Sequence, residues 1–212
     1  MEKNKRIKFL IALKNHILNN RKDYTIVSLI FVIGIFLGVF FVNNMQESKI
    51  TEVNSYFNDS INKLKEVETI ESFTLLKENI IEKILLATAI WFFGTTVIGI
   101  PIVFGMVLYR GFCFGYTIAI SVTSLGIIKG LIFICSSLFL QNILFISAIL
   151  ALAVSGFKLY KSIIKSKDKE NIKVEILRHT VFSFVMLIIL IFSSVIETYI
   201  STNILKLVIK YV

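Results

Sequence analysis

Proline, tryptophan, cysteine and histidine are nearly missing from this 212-residue chain: it has one, one, two and two of them. Two cysteines, Cys113 and Cys135, cannot build a disulfide framework or a zinc site. Both lie in apolar runs and read as small buried hydrophobes. Two histidines, His16 and His179, form no recognisable acid–nucleophile set with their neighbours in sequence. No H-E-x-x-H, P-loop, G-x-S-x-G or carboxylate pair occurs within an apolar run, so no catalytic, cofactor-binding or metal site is assigned. Charge is scarce too. Only 17% of residues are charged, where a soluble domain carries about 25%.

What fills the space is apolar: 56% hydrophobic residues and a mean hydropathy of +0.80. The expected fold class is therefore all-α, a polytopic integral membrane helix bundle of about five transmembrane helices with a cytoplasmic amino terminus. Residues 1–23 are basic, and Ile7, Leu10, Ile11 and Leu18 recur at helical spacing, so this segment reads as an amphipathic helix on the lipid surface. Tyr24 to Val42 runs 19 residues without a charge and serves as the first anchor, over 24–43. Gly34 and Gly38 on it form a G-x-x-x-G pair, which suits a packing face better than a dimerisation code.

Residues 44–83 form the long polar excursion. Val53, Tyr56, Phe57, Ile61 and Leu64 recur at helical spacing, and a second helical pattern from Thr74 runs into the next span. This segment is too short for an independent enzyme domain. Two readings stand: a docking surface presenting Tyr56, Phe57 and Ile61, or a helical hairpin lying back on its own bundle.

A four-span core follows over 84–200, with spans expected near 84–108, 112–128, 131–157 and 181–200. The stretch from Trp91 to Thr117 is its centre, with five glycines, Arg110 and the lone proline, Pro101. Pro101 is expected in mid-span, where it should kink or break the helix. Tyr109-Arg110-Gly111 reads as a cytoplasmic turn, and Lys129-Gly130 as an outer one. Residues 158–180 form a basic cytoplasmic loop, and 201–212 an amphipathic tail. This arrangement puts fifteen positive residues on one side and eight on the other, which fixes the amino terminus inside. The net charge of +9 is thus used at lipid headgroups, and no nucleic-acid partner is implied.

Polar groups within the spans are few. Glu197 is a functional candidate because an acid in a span is rarely incidental. It is expected either to meet Lys129 at the outer end or to reach the headgroups. Gln141 and Asn142 are expected near mid-depth, as interhelical amide bonds worth about 0.6 to 2 kcal/mol or as the lining of a polar path.

The order Trp91, Phe93-Gly94, Val97-Ile98-Gly99-Ile100-Pro101, Arg110-Gly111-Phe112, Gly115, Gln141-Asn142 and Glu197-Thr198-Tyr199 resembles the stage II sporulation protein M family over nearly the whole chain. Thr198 departs from the Glu-Ala-Tyr ending usual there. The resemblance implies a non-catalytic membrane scaffold. It would recruit the peptidoglycan-degrading stage II sporulation proteins D and P for septal thinning and engulfment of the forespore. It implies a multi-pass bacterial cell-membrane location, in the septal or mother-cell membrane, and leaves room for a homo-oligomer. Trp91, Gly94, Pro101, Arg110, Gly111, Lys129, Gln141, Asn142, Glu197 and Tyr199 are the structural or partner-contact candidates. The competing function is a transporter or channel component with a broken-helix site around Pro101.

Overall fold

A run of β-branched and aromatic residues from Tyr24 to Val42 has no polar side chain able to compete for backbone hydrogen bonds except Thr25 and Ser28, and it folds as one helix. This is α1, Arg21–Asn43. The computed structural model describes residue 18 and residues 20–66, 72–137, 139–165 and 169–201. Most of the basic segment 1–23 and nearly all of the tail 201–212 lie outside these described residues. The further elements are α2 (Glu47–Glu66), α3 (Ser72–Gly94), α4 (Gly99–Leu125), α5 (Ile127–Ser137), α6 (Phe139–Lys165) and α7 (Lys169–Ile196), which continues as a π-helical turn, Glu197–Ser201.

The chain is an all-α, polytopic membrane bundle. Among the described residues four stretches are long and apolar enough to cross a bilayer: Arg21–Asn43, Gly99–Leu125, Asn142–Lys165 and Ile172–Ile200. The fifth crossing element is α3, which runs antiparallel to α4 and α7. Its Asn79 meets Thr198, its Glu82 meets Arg110 halfway along α4, and its Trp91 meets Thr180. Phe36, Phe40, Phe184 and Phe192 are each more than 60% exposed, a belt that water would not tolerate but acyl chains do.

The closest helix contact joins α1 to α4, which run parallel. A Cβ placed on Gly34 would run into the carbonyl of Leu108, and one on Gly38 into that of Phe112. From the other side, Gly111 faces the Phe31 carbonyl and Gly115 that of Ile35. The G-x-x-x-G pair of α1 thus packs within the chain, on a second such pair in α4. Hydrophobicity gives little drive for association in lipid, so this approach of backbones is what holds the two together. Around it Val27, Ile90, Val103, Val107, Leu152, Val154, Met186 and Leu190 form a fully buried core.

Helix breaks fall elsewhere than the sequence suggests. The turn after α3 is Thr95 to Ile98, where the Thr96 hydroxyl donates to the Phe93 carbonyl at 3.0 Å and accepts from the Gly99 N–H at 3.0 Å. Pro101 is consequently the third residue of α4, not a mid-span kink. An amide there has no intrahelical acceptor, so its absence costs nothing. Tyr109-Arg110-Gly111 lies inside α4 rather than in a loop. The outer turn is Gly126, whose φ of +81° favours glycine, one residue after α4 ends. The eleven-residue α5 then turns back along α4, its Gly130 against Ser121 and Val122. Helices α5 and α6 lead from this outer turn back to the basic side as the fourth crossing. On the basic side α6 continues helical to Lys165 and α7 begins at Lys169, so most of 158–180 is helix. There Lys161 pairs with the buried Asp23 and ties α6 to α1.

Helix α2 lies over the outer end of the bundle. Asn54 accepts from the Ser124 hydroxyl at 2.7 Å, and Phe57 packs edge-on against Phe133 at 5.6 Å. Ile61 is buried with Phe133 and Ile134. The glycine seam makes a direct prediction. Gly34→Ala or Gly111→Ala should each destabilise the protein by about 1–3 kcal/mol through overpacking. Gly105→Ala, where a Cβ meets nothing within 4 Å, should leave thermal melting in detergent unchanged or raise it.

Candidate functional site

Arg110 is the twelfth of the 27 residues of α4, and the neighbouring Gly111 lies against the carbonyl of Phe31, near the middle of α1. Its guanidinium is therefore near mid-depth in the bundle. A charged side chain at the centre of a membrane helix costs about 2.5–3.5 kcal/mol unless it finds a partner. Arg110 finds two. Its Nη2 donates to Oε1 of Glu82 at 2.7 Å, and its guanidinium lies 5.4 Å from the centre of the Phe145 ring.

The next residue of α3 does the same on another side. Lys83, only 6% exposed, forms an ion pair with Glu197 in the π-helical turn, and its ammonium also lies 5.4 Å from the Phe145 ring centre. One turn outward, the Asn79 amide donates to the Thr198 hydroxyl at 3.4 Å. Successive residues of α3 thus reach α4 and α7, while Phe145 of α6 lies beside both cations. Beneath them is a cavity of about 20 Å³, lined by Phe31, Arg110, Phe114, Asn142 and Phe145 among others. That holds about one water.

A second polar layer lies toward the basic end. Gly94 of α3 and Gly156 of α6 touch backbone to backbone, and His179 of α7 closes over them. His179 is 2% exposed; its Nδ1 is 2.9 Å from the Ser155 hydroxyl and its Nε2 3.4 Å from the Trp91 carbonyl. A neutral imidazole with its proton on Nε2 satisfies both, accepting from Ser155 and donating to Trp91. The Trp91 indole donates to the Thr180 hydroxyl at 3.2 Å. Next to it an open cavity of about 150 Å³ between α3 and α7 is lined by Thr88, Trp91, Thr180 and Ser183 among others.

The sequence-derived candidates fall into these layers unevenly. Trp91 and Gly94 build the inner one; Arg110, Asn142 and Glu197 belong to the central one. Gly111 serves the α1–α4 seam instead. Glu197 is met by Lys83 of α3, and Lys129 lies in the first turn of α5. Gln141 and Asn142 belong to α6, and Asn142 lines the small cavity beside Arg110. Pro101 is exposed near the start of α4, and Tyr199 is about half-exposed in the π-helical turn. Of the proposed docking residues, Phe57 and Ile61 are covered by the chain's own helices and Tyr56 is 66% exposed.

Glu82, Lys83, Ser155 and His179 are the residues that reading the sequence undervalued. The signal for the first two was present: the helical pattern from Thr74 runs unbroken through them into the apolar run.

Two polar layers that tie helices together inside an apolar belt define a class, the polytopic α-helical membrane proteins with an ion-paired interior. Within that class the family is given by residues 27–202, which match the model for stage II sporulation protein M. The chain belongs to this family and is a sporulation-related, multi-pass membrane protein. Neither the curated proteins nor the solved structures contain a match.

The Lys83–Glu197 pair predicts a definite pattern of stabilities. Removing one partner leaves a buried charge, so Lys83→Ala or Glu197→Ala should lose about 3 kcal/mol. Replacing both, Lys83→Met with Glu197→Leu, should recover most of it. Additive losses in detergent melting would show that the two side chains do not act as a pair.

Proposed function

We propose that the protein is a non-catalytic scaffold that recruits and positions peptidoglycan hydrolases during septal thinning and engulfment of the forespore. Membership in the stage II sporulation protein M family carries this reading. The partners it implies are the stage II sporulation proteins D and P, and the site of action is the septal or mother-cell membrane. The polar interior supports it physically. Arg110, Glu82, Lys83 and Glu197 are engaged with one another across helices, the arrangement expected of a rigid platform. Partners held in the same bilayer meet the scaffold at high effective concentration, so modest contacts suffice.

Arg110 and Asn142 near mid-depth favour a second reading, a transporter or channel component, because ionisable residues inside the membrane often mark a substrate path. The small cavity there weighs against it: space for about one water is not a passage.

Tagged full-length protein purified from membranes of sporulating cells should retain the hydrolases, and a photoreactive group at position 56 should join them to α2. Murein degradation by the purified protein alone, or substrate flux through proteoliposomes with no hydrolase bound, would overturn the scaffold.

A further inference from the structure

The Glu82–Arg110 pair is asymmetric. Arg110 is tucked against Phe145 with its side chain 24% exposed, but the Glu82 side chain is 59% exposed. Arg110 engages only Oε1 of that carboxylate, and Oε2 has no hydrogen-bond partner among the described residues. Glu82 sits at the edge of a face of α3 that no described helix covers. Glu78, Ile81, Glu82, Leu85, Thr88 and Phe92 are all exposed and recur at three- and four-residue spacing, so they form one stripe. For Ile81, Leu85 and Phe92 exposure to acyl chains is no penalty. For Glu82 it is, because hydrocarbon offers no donor and Arg110 fixes its depth near the middle of α4.

We propose that the Glu82 face of α3 is the docking surface for a transmembrane helix of a partner protein that carries a lysine or arginine at mid-span, its cation completing the coordination of Glu82. The surface rests on the scaffold reading and gives it a location within the bilayer. A cation is selected over a hydroxyl or amide because the stripe carries two exposed carboxylates, Glu78 and Glu82, and Arg110 neutralises only one of them. A second copy of this chain does not fit. Two α3 faces related by an axis along the membrane normal would bring Glu82 against Glu82 at the same depth. The neighbouring Leu85, 65% exposed, gives the incoming helix an aliphatic contact one turn further in.

The test uses the full-length chain in liposomes with synthetic polyleucine helices of about twenty residues. One carries a central lysine, one a central glutamate, and one is leucine throughout. A photoreactive residue at position 85 reports contact, and binding is titrated by energy transfer. The lysine helix should bind about tenfold more tightly than the leucine helix, which corresponds to about 1.4 kcal/mol. The glutamate helix should bind weakest, and adducts should form at position 85. Glu82→Gln should abolish the preference for lysine, and Glu82→Asp should keep it. Should Glu82→Gln fail to fold, the charge series on the unaltered protein together with Glu82→Asp decides the matter. Equal binding of the three helices, a lysine preference that survives in Glu82→Gln, or adducts only to a second copy would overturn the proposal. Hydrolases retained by a folded Glu82→Gln protein would refute this surface while leaving the scaffold reading intact. A lysine preference with no hydrolase bound to the unaltered protein would do the reverse.

Discussion

Charges near the middle of a bilayer must be neutralised by the protein itself, and that requirement organises the bundle around α3. Helix α3 carries Lys77, Glu78, Glu82 and Lys83, too many for a free transmembrane helix. It is stable only inside a ring of partners. Arg110 of α4 and Glu197 beyond α7 supply the opposite charges, and Phe145 of α6 lies under both cations. The remaining packing follows from holding these groups at one depth. The seam of glycines fixes α4 against α1, and the His179 layer fixes the inner ends of α3, α6 and α7.

The two layers use different chemistry for the same end. In the central one, ions attract over a distance and tolerate imperfect geometry. In the inner one, Ser155, Trp91 and Thr180 make directional neutral bonds where Gly94 and Gly156 bring backbones together. Neutral bonds between membrane helices are individually weak, about 0.6 kcal/mol on average. The ionic layer therefore contributes more to specifying which helix faces which.

The all-α bundle, its approximate number of crossings and the first anchor were legible in the sequence, because a long uncharged run has only one stable form in lipid. Boundaries inside the core were not. Between Trp91 and Thr117 both sides of every candidate turn are apolar, so hydropathy could not separate a turn from a helix interior. Arg110 looked like a loop residue because its neutralising partner, Glu82, lies 28 positions away. Pro101 looked like a kink because the helix start two residues earlier leaves no compositional trace. Glu197 drew notice, and Lys83 of α3 is a partner of it that sequence proximity did not suggest. His179 was discounted for want of reactive neighbours in sequence, although Ser155 lies beside it in space.

The parallel pairing of α1 with α4 bears on how the chain is made. The helix that α1 must pack against begins 56 residues after α1 ends, once α2 and all of α3 have been made. Until then the bare strip of Gly34 and Gly38 faces lipid, and α3 has neither Arg110 nor Glu197 to neutralise it. The charges of α3 are thus matched in stages, Glu82 when α4 is made and Lys83 only when the chain beyond α7 is complete.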